Sequence, residues 1–205
     1  MSLDALRYGV EVLRYYITDR KQFGTTEEER ERGVAQAVRR ASLAGIDMCC
    51  VREKDLSTGS LERLASKLMK GLEPAMRLLI HGSPQVALAV GAAGVHLSSS
   101  RDELSAADVR SLWMKSSKTA PLIVVSCHSK QDLDWAHSNG ADFAVFGPVF
   151  EKDGVANPQG LEYLRSACRG CPIPVLALGG VNEHNAALCS EAGASGIAGI
   201  RMFQS

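Results

Sequence analysis

Along this chain, short runs of apolar residues alternate with longer segments whose apolar positions recur every three or four residues. The short runs have the β-branched content of strands, and the longer segments have the period of helices packed on one face. The runs predict strands at 13–18, 46–51, 77–80, 94–97, 122–125, 142–146, 174–178 and 196–200. Between them the spacing predicts helices over 25–44, 57–69, 84–90, 105–114, 130–138, 159–168 and 183–191. Several strands are apolar at nearly every position, as in Leu122-Ile123-Val124-Val125, which fits parallel strands buried on both faces.

Parallel strands need helical crossovers, and both an open doubly wound sheet and a closed barrel supply them. Eight strands favour the barrel, as do the small-residue joins "NGAD", "AAGV" and "AGASG" ahead of strands. No GxGxxG follows the first strand, which argues against a dinucleotide fold. The expected fold is α/β, a single (β/α)8 TIM barrel over residues 1–205, with no linker between units. After the last strand no eighth helix is legible. Leu3, Leu6, Val10 and Leu13 have helical spacing, so the segment Leu3 to Val12 is expected to cover that gap, with a partner subunit as the alternative.

Composition narrows the partners. Lys plus Arg (23) balances Asp plus Glu (23), so no global field draws the protein to nucleic acid or an anionic membrane. No run approaches the ~18 apolar residues of a membrane span. Asp4, Arg7, Glu11 and Arg14 interrupt any signal-peptide pattern, and a cytoplasmic location is expected. The six cysteines do not suggest a disulfide framework. Cys49 and Cys50 are neighbours in a strand and should face opposite sides. Cys168 and Cys171 form a CxxC without a second ligand pair, read as packing with redox or metal work as the alternative.

Barrel sites form at the C-terminal strand ends. Those ends carry Thr18-Asp19-Arg20, Arg52-Glu53-Lys54, His81, His96, Ser126-Cys127-His128, Gly147-Pro148, Gly179-Gly180 and Gly199-Ile200-Arg201. Arg20, Arg52, Lys54 and Arg201 around one mouth suggest an anion site, unless they pair with Asp19 or Glu53. In Leu178-Gly179-Gly180-Val181-Asn182 the glycines would let backbone N–H groups approach an anion, and Asn182 could cap the next helix. Gly180→Asp is therefore expected to abolish phosphate binding by placing a carboxylate in the cradle. His81, His96 and His128 at three strand ends allow zinc, or acid–base duty for one of them. No carboxylate is obviously paired to orient them. His137 and His184 lie on helices and read as solvated, and Trp113 and Trp135 as packing anchors.

At these residues the chain resembles the thiamine phosphate synthase and TenI superfamily. The likeness is carried by "YYITDR" (15–20), "VREK" (51–54), "ALAVGAAGVHL" (87–97), "VVSCHS" (124–129), "GADFAVFGPVF" (140–150), "PQGLEYL" (158–164), "IPVLALGGV" (173–181) and "AGASGIAGI" (192–200). The resemblance implies that Gly179, Gly180, Gly199 and Ile200 hold a thiazole phosphate through their backbone. It further implies that Arg52 and Lys54 face the diphosphate of an aminopyrimidine, and that Ser126 lines the centre.

The departures follow one theme. His81-Gly82 stands where the synthases have Asn-Asp, and Ser98-Ser99-Ser100-Arg101 where they have Gly-Gln-Glu-Asp, with Asp102 one place late. Cys50 replaces a Gln, and Glu151 to Val155 replace a Thr-rich loop ending in Lys. A magnesium diphosphate needs hard oxygen ligands, which these changes remove. TenI-type tautomerases also lack the metal ligands but carry a His where this chain has Pro148.

The resulting expectation is a TenI-like barrel that binds a thiazole phosphate or similar small phosphate ester and tautomerises it. His81, His128 and Glu151 are the candidate bases. Arg52, Lys54, His96, Ser126 and Gly147 are the candidate substrate contacts. No cofactor and no metal site are expected. Two alternatives stand beside it: a divergent synthase, with Asp19 or Asp102 supplying magnesium ligation, or a catalytically silent ligand-binding relative. A homo-oligomer is compatible with any of these.

Overall fold

Serine and threonine hydroxyls set where most of the helices begin. Five helices start after a Ser or Thr whose side chain accepts an N–H of the first turn: α1 (Glu27–Leu43) after Thr26, α2 (Thr58–Met69) after Ser57, α3 (Pro84–Val90) after Ser83, α4 (Ala106–Met114) after Ser105 and α5 (Lys130–Ser138) after Ser129. Thr26 with Glu29 and Ser105 with Asp108 complete reciprocal capping boxes, each satisfying backbone donors that a helix end leaves open. Two more helices follow, α6 (Gly160–Cys168) and α7 (Ala186–Glu191), and neither has a side-chain cap. The computed structural model describes residues 12–116, 119–151 and 158–204.

The strands are β1 (Leu13–Ile17), β2 (Met48–Val51), β3 (Arg77–His81), β4 (Gly94–Leu97), β5 (Leu122–Cys127), β6 (Phe143–Phe146), β7 (Val175–Ala177) and β8 (Gly196–Gly199). All pair in parallel with their sequence neighbours, and Leu13–Tyr16 of β1 pairs with Gly196–Gly199 of β8 to close the barrel. Residues two apart along a strand share a face. Tyr15, Cys50, Leu79, Val124, Val145, Leu176 and Ala198 accordingly fill the interior, while Tyr16, Cys49, Ile80, Val125 and Ile197 pack under the helices. Cys49 and Cys50 thus face opposite sides. Trp113 is buried, Trp135 packs against the same layer, and His137 and His184 are exposed. All six cysteines are free thiols.

Strand starts at the barrel bottom are clipped by carboxylates. Asp47 accepts the N–H of Arg14 (2.8 Å), and Asp142 accepts that of Ile123 (2.8 Å) and pairs with Arg110 (2.8 Å). After β8 the chain makes a short 3-10 turn, Arg201–Phe203, whose Phe203 lies edge-on to Tyr16. Arg40 of α1 donates to the Gln204 carbonyl and holds this turn down (2.7 Å). The segment 3–12, expected to cover this side, lies outside the described residues except for Val12, which is exposed. Among the described residues no helix is long and apolar enough to cross a membrane.

The tightest constraint sits at Gly94, where a Cβ would strike the backbone oxygen, nitrogen and carbon of Leu122 in the neighbouring strand. Backbone held on both sides cannot retreat as a flexible side chain can. Gly94→Ala is therefore expected to destabilise the protein by about 3 kcal/mol or more. Urea unfolding checks this, and a loss below about 1 kcal/mol would refute the close β4–β5 approach.

Candidate functional site

Two clusters occupy the rim formed by the C-terminal strand ends, and one lies just beneath it inside the barrel. The first lies after β6, β7 and β8, where His128, Gly147, Gly179, Gly180, Gly199 and Ile200 line one pocket of about 620 Å3. Pro148, Leu178, Val181, Ala198 and Met202 make much of its wall apolar. Arg201 and Asn182 stand at its edge, and no carboxylate lines it among the described residues. Gly179 and Gly180 adopt φ of +95° and +64°, a left-handed region that side-chain-bearing residues avoid. The consequence is three successive N–H groups, of Gly179, Gly180 and Val181, with no acceptor among the described residues. Such donors suit an oxyanion.

Asn185, which the sequence did not single out, shapes this loop. Its amide donates to the Gly180 carbonyl (2.9 Å), and its side-chain oxygen accepts the Asn182 N–H (2.8 Å). Asn182 was expected to cap the next helix. Instead its side chain accepts the His184 N–H (2.9 Å) within a turn ahead of α7. The reasoning behind Gly180→Asp also needs correction. A Cβ at Gly180 would point at the Glu151 carbonyl (2.6 Å) and Phe150 Cβ (2.7 Å), away from open cradle space. That substitution would disturb the β6 loop before it presented a charge.

His128 is the imidazole in this pocket. Its Nδ1 lies 2.6 Å from the Gly147 carbonyl, which can only accept, so Nδ1 carries the proton. In the neutral ring Nε2 is then left with the lone pair. Gln159 donates to the His128 carbonyl (2.7 Å) and fixes that turn. Glu151 is exposed, and its backbone rather than its carboxylate borders Gly180. Residues 152–155 of the same loop lie outside the described residues.

The second cluster is inside the barrel. Tyr15 Oη lies 3.0 Å from His96 Nδ1, and Ser126 Oγ lies 2.9 Å from His96 Nε2. His96 was expected to touch substrate. At 2% exposure with both ring nitrogens engaged, it reaches the mouth only through the half-buried Ser126. Nothing in the local sequence Leu13-Arg14-Tyr15-Tyr16-Ile17 signals that the Tyr15 phenol needs a buried partner, because that partner comes from β4. His81 stacks near His96, with ring centres 5.6 Å apart. Burial pushes the His96 pKa down to about 3. Burial, with help from Arg52 and Lys54, pushes His81 down to about 4. Both rings are neutral at neutral pH, and His81 does not line the glycine pocket.

The third cluster lies after β1 and β2, where Asp19, Lys21, Arg52, Glu53, Lys54 and Asp55 surround a recess of about 220 Å3. Arg20, expected in the anion-binding ring, is 2% exposed and already engaged by Glu27 (2.8 Å), Asp55 (2.9 Å) and Glu53 (3.7 Å). Arg52 and Lys54 make no ion pair among the described residues. Magnesium was the ion the synthase reading required. Among the described residues no three His, Cys, Asp or Glu side chains converge as a metal site. Asp19 accepts from Gln22 (2.8 Å), and Asp102 is exposed on the far side of the mouth. Asp19 and Asp102, the two candidate magnesium ligands, border separate recesses.

Fold and rim define a parallel β/α barrel whose mouth carries backbone amides without acceptors among the described residues, together with Arg52 and Lys54. The sequence pattern of the family described as thiamine monophosphate synthase matches residues 14–203. The chain belongs to that family. It is 37% identical over 188 residues to a putative thiamine-phosphate synthase of Geobacter sulfurreducens, covering 90% of this chain and 83% of that one. It is 33% identical over 190 residues to the thiamine-phosphate synthase of Syntrophomonas wolfei, covering 91% and 85%. Among solved structures, a thiamine phosphate pyrophosphorylase from Pyrococcus furiosus superposes with a TM-score of 0.77 at 28% identity, covering 95% and 88%.

The neutral buried imidazoles set a pH dependence. Below about pH 6.5 the unfolded chain takes up protons that the folded His96 refuses, so stability is full above that pH and falls as pH drops. The slope contributed by His96 is about 1.4 kcal/mol per pH unit. Urea unfolding between about pH 7 and pH 4.5 is expected to show it, and His96→Gln to remove about that much of the slope. Identical slopes in the two proteins would refute a neutral buried imidazole.

Proposed function

We propose that this protein binds a thiazole phosphate or closely related phosphate ester, and that it works on this ligand without a magnesium-diphosphate centre. The observation that carries the reading is the row of amides at Gly179, Gly180 and Val181 that, among the described residues, lack acceptors and share a pocket with an imidazole and no carboxylate. The phosphate sits on these amides near Gly199 and Ile200, with the ring against Pro148, Leu178 and Met202. His128 then serves as the acid–base group, moving a ring-adjacent proton through Nε2 while Gly147 holds Nδ1–H. The chemistry is a tautomerisation, in which one C–H or N–H bond breaks and another forms with no net redox change.

A second reading, a divergent thiamine phosphate synthase, is favoured by the names of the relatives in Geobacter and Syntrophomonas. That reaction would have to stabilise a departing diphosphate with Arg52 and Lys54 in place of a carboxylate-held metal.

Two measurements separate them. Calorimetry with thiazole phosphate is expected to show binding that a chelator leaves unchanged. Incubation with both synthase substrates and magnesium is expected to yield little thiamine phosphate; robust formation would establish the second reading instead. Gly199→Asp tests the cradle more cleanly than Gly180→Asp, because a Cβ there meets the flexible Met202 side chain closely and Phe203 only at ordinary contact distance (3.5 Å). It is expected to weaken thiazole phosphate binding about 100-fold or more, through like-charge repulsion. His128→Asn, which keeps a donor for the Gly147 carbonyl, should lower tautomer turnover by about a hundredfold or more with modest change in affinity. Unaltered affinity in the first variant would remove the cradle, and unaltered turnover in the second would remove the base.

A further inference from the structure

Glu53 stands between two cations in the sequence, yet it turns away from both. Its side chain is buried, at 5% exposure for the residue. The Thr18 hydroxyl donates to Glu53 Oε1 (2.6 Å), and the Arg20 backbone N–H lies 3.2 Å from each carboxylate oxygen. The same Thr18 oxygen accepts the backbone N–H of Arg52 (3.0 Å). The end of β1 therefore grips the loop after β2 at two consecutive residues. Arg20 adds a third hold, since its guanidinium reaches Asp55 in the same loop and Glu27 on α1. With Glu53 turned inward, Arg52 and Lys54 border the recess at the mouth, where both lie close enough to His81 to weaken its hold on a proton.

Stability alone accounts poorly for this arrangement. Taking Glu53 and Arg20 out of water is costly, and at 3.7 Å their attraction returns only part of that cost. An apolar pair of similar volume would serve a core at least as well. What the hydrogen-bonded carboxylate supplies, and a methyl could not, is a fixed direction for the peptide on either side of it.

We propose that Thr18, Arg20 and Glu53 form a buried positioning unit that holds Arg52 and Lys54 as a preset clamp for an anionic group of the ligand. The inference rests on the second reading above, in which Arg52 and Lys54 hold a diphosphate. It concerns the β1–β2 side of the mouth, next to the glycine cradle, since β8 pairs with β1. These three residues touch no ligand themselves and act through the two cations.

The test uses the full chain, inorganic pyrophosphate in the presence of a chelator, and the variants Glu53→Gln and Thr18→Val, with Arg52→Met as the reference for a lost cation. The first readout is the titration of His81 by NMR, which needs no ligand. The charges and rings facing it are Arg52, Lys54, Glu103 and His96. Freeing the cations is expected to raise the His81 pKa by about half a unit or more, toward its ordinary value, as Arg52→Met does. The second readout is calorimetric affinity for pyrophosphate, expected to fall about tenfold in both variants with a weaker dependence on salt. A merely structural role would leave the His81 titration of a folded variant where it was.

Folded variants with unmoved His81 and undiminished pyrophosphate binding would overturn the positioning unit alone. If Glu53→Gln fails to fold, Thr18→Val decides on the same two readouts. Absence of pyrophosphate binding by the unaltered protein would overturn the clamp and the diphosphate reading of this side of the mouth, whatever His81 does, and would leave the glycine cradle to its own test.

Discussion

A parallel sheet of eight strands that stayed open would leave two rows of backbone donors and acceptors without partners. Pairing Leu13–Tyr16 with Gly196–Gly199 removes both edges at once. Every other feature of the protein inherits from that closure. It sends all eight C-terminal ends to one rim and assigns each strand residue to the interior or to the helix side. It also brings backbones so close that Gly94, Gly147 and Gly196 each have a neighbouring strand's or loop's carbonyl where a side chain would start.

Closure also decides what polarity the interior can hold. Tyr15 and His96 come from strands on different parts of the barrel, and each is buried because the other satisfies it. Ser126 completes the chain and carries it up to the mouth. Burial removes the charge from His96, and burial together with the nearby cations removes it from His81. The centre of the barrel below the rim is thus occupied by neutral imidazoles.

Around that neutral centre the charges divide by function. Arg20 is consumed by carboxylates within the fold, whereas Arg52 and Lys54 face the mouth without ion-pair partners among the described residues. Further round the rim, the β7 loop carries amides without acceptors among the described residues. The helices nearest that loop, α6 and α7, are the two that begin without a side-chain cap. The family likeness places the chain among the thiamine monophosphate synthase barrels.

Period and composition by themselves determined the eight strands, the seven helices between them, the parallel closure and the glycine pair after β7. These are local or repetitive properties: hydrophobic spacing, Ser/Thr starts and glycine at turns act within a few residues of where they are read. Only the tertiary structure decided which polar residues at the strand ends are available. Arg20 and Arg52 look alike in sequence, but one meets Glu27 and Asp55 across the β1–β2 gap and the other does not. His96 and His128 both follow apolar runs, yet one is sealed between Tyr15 and Ser126 while the other lines the pocket. Asn182 reads as a cap in the sequence, but the loop path gives Asn185 the closer hold on the Gly180 carbonyl. The physical reason is common to all of these: availability depends on partners supplied by strands far apart in the chain, and no local pattern records who those partners are.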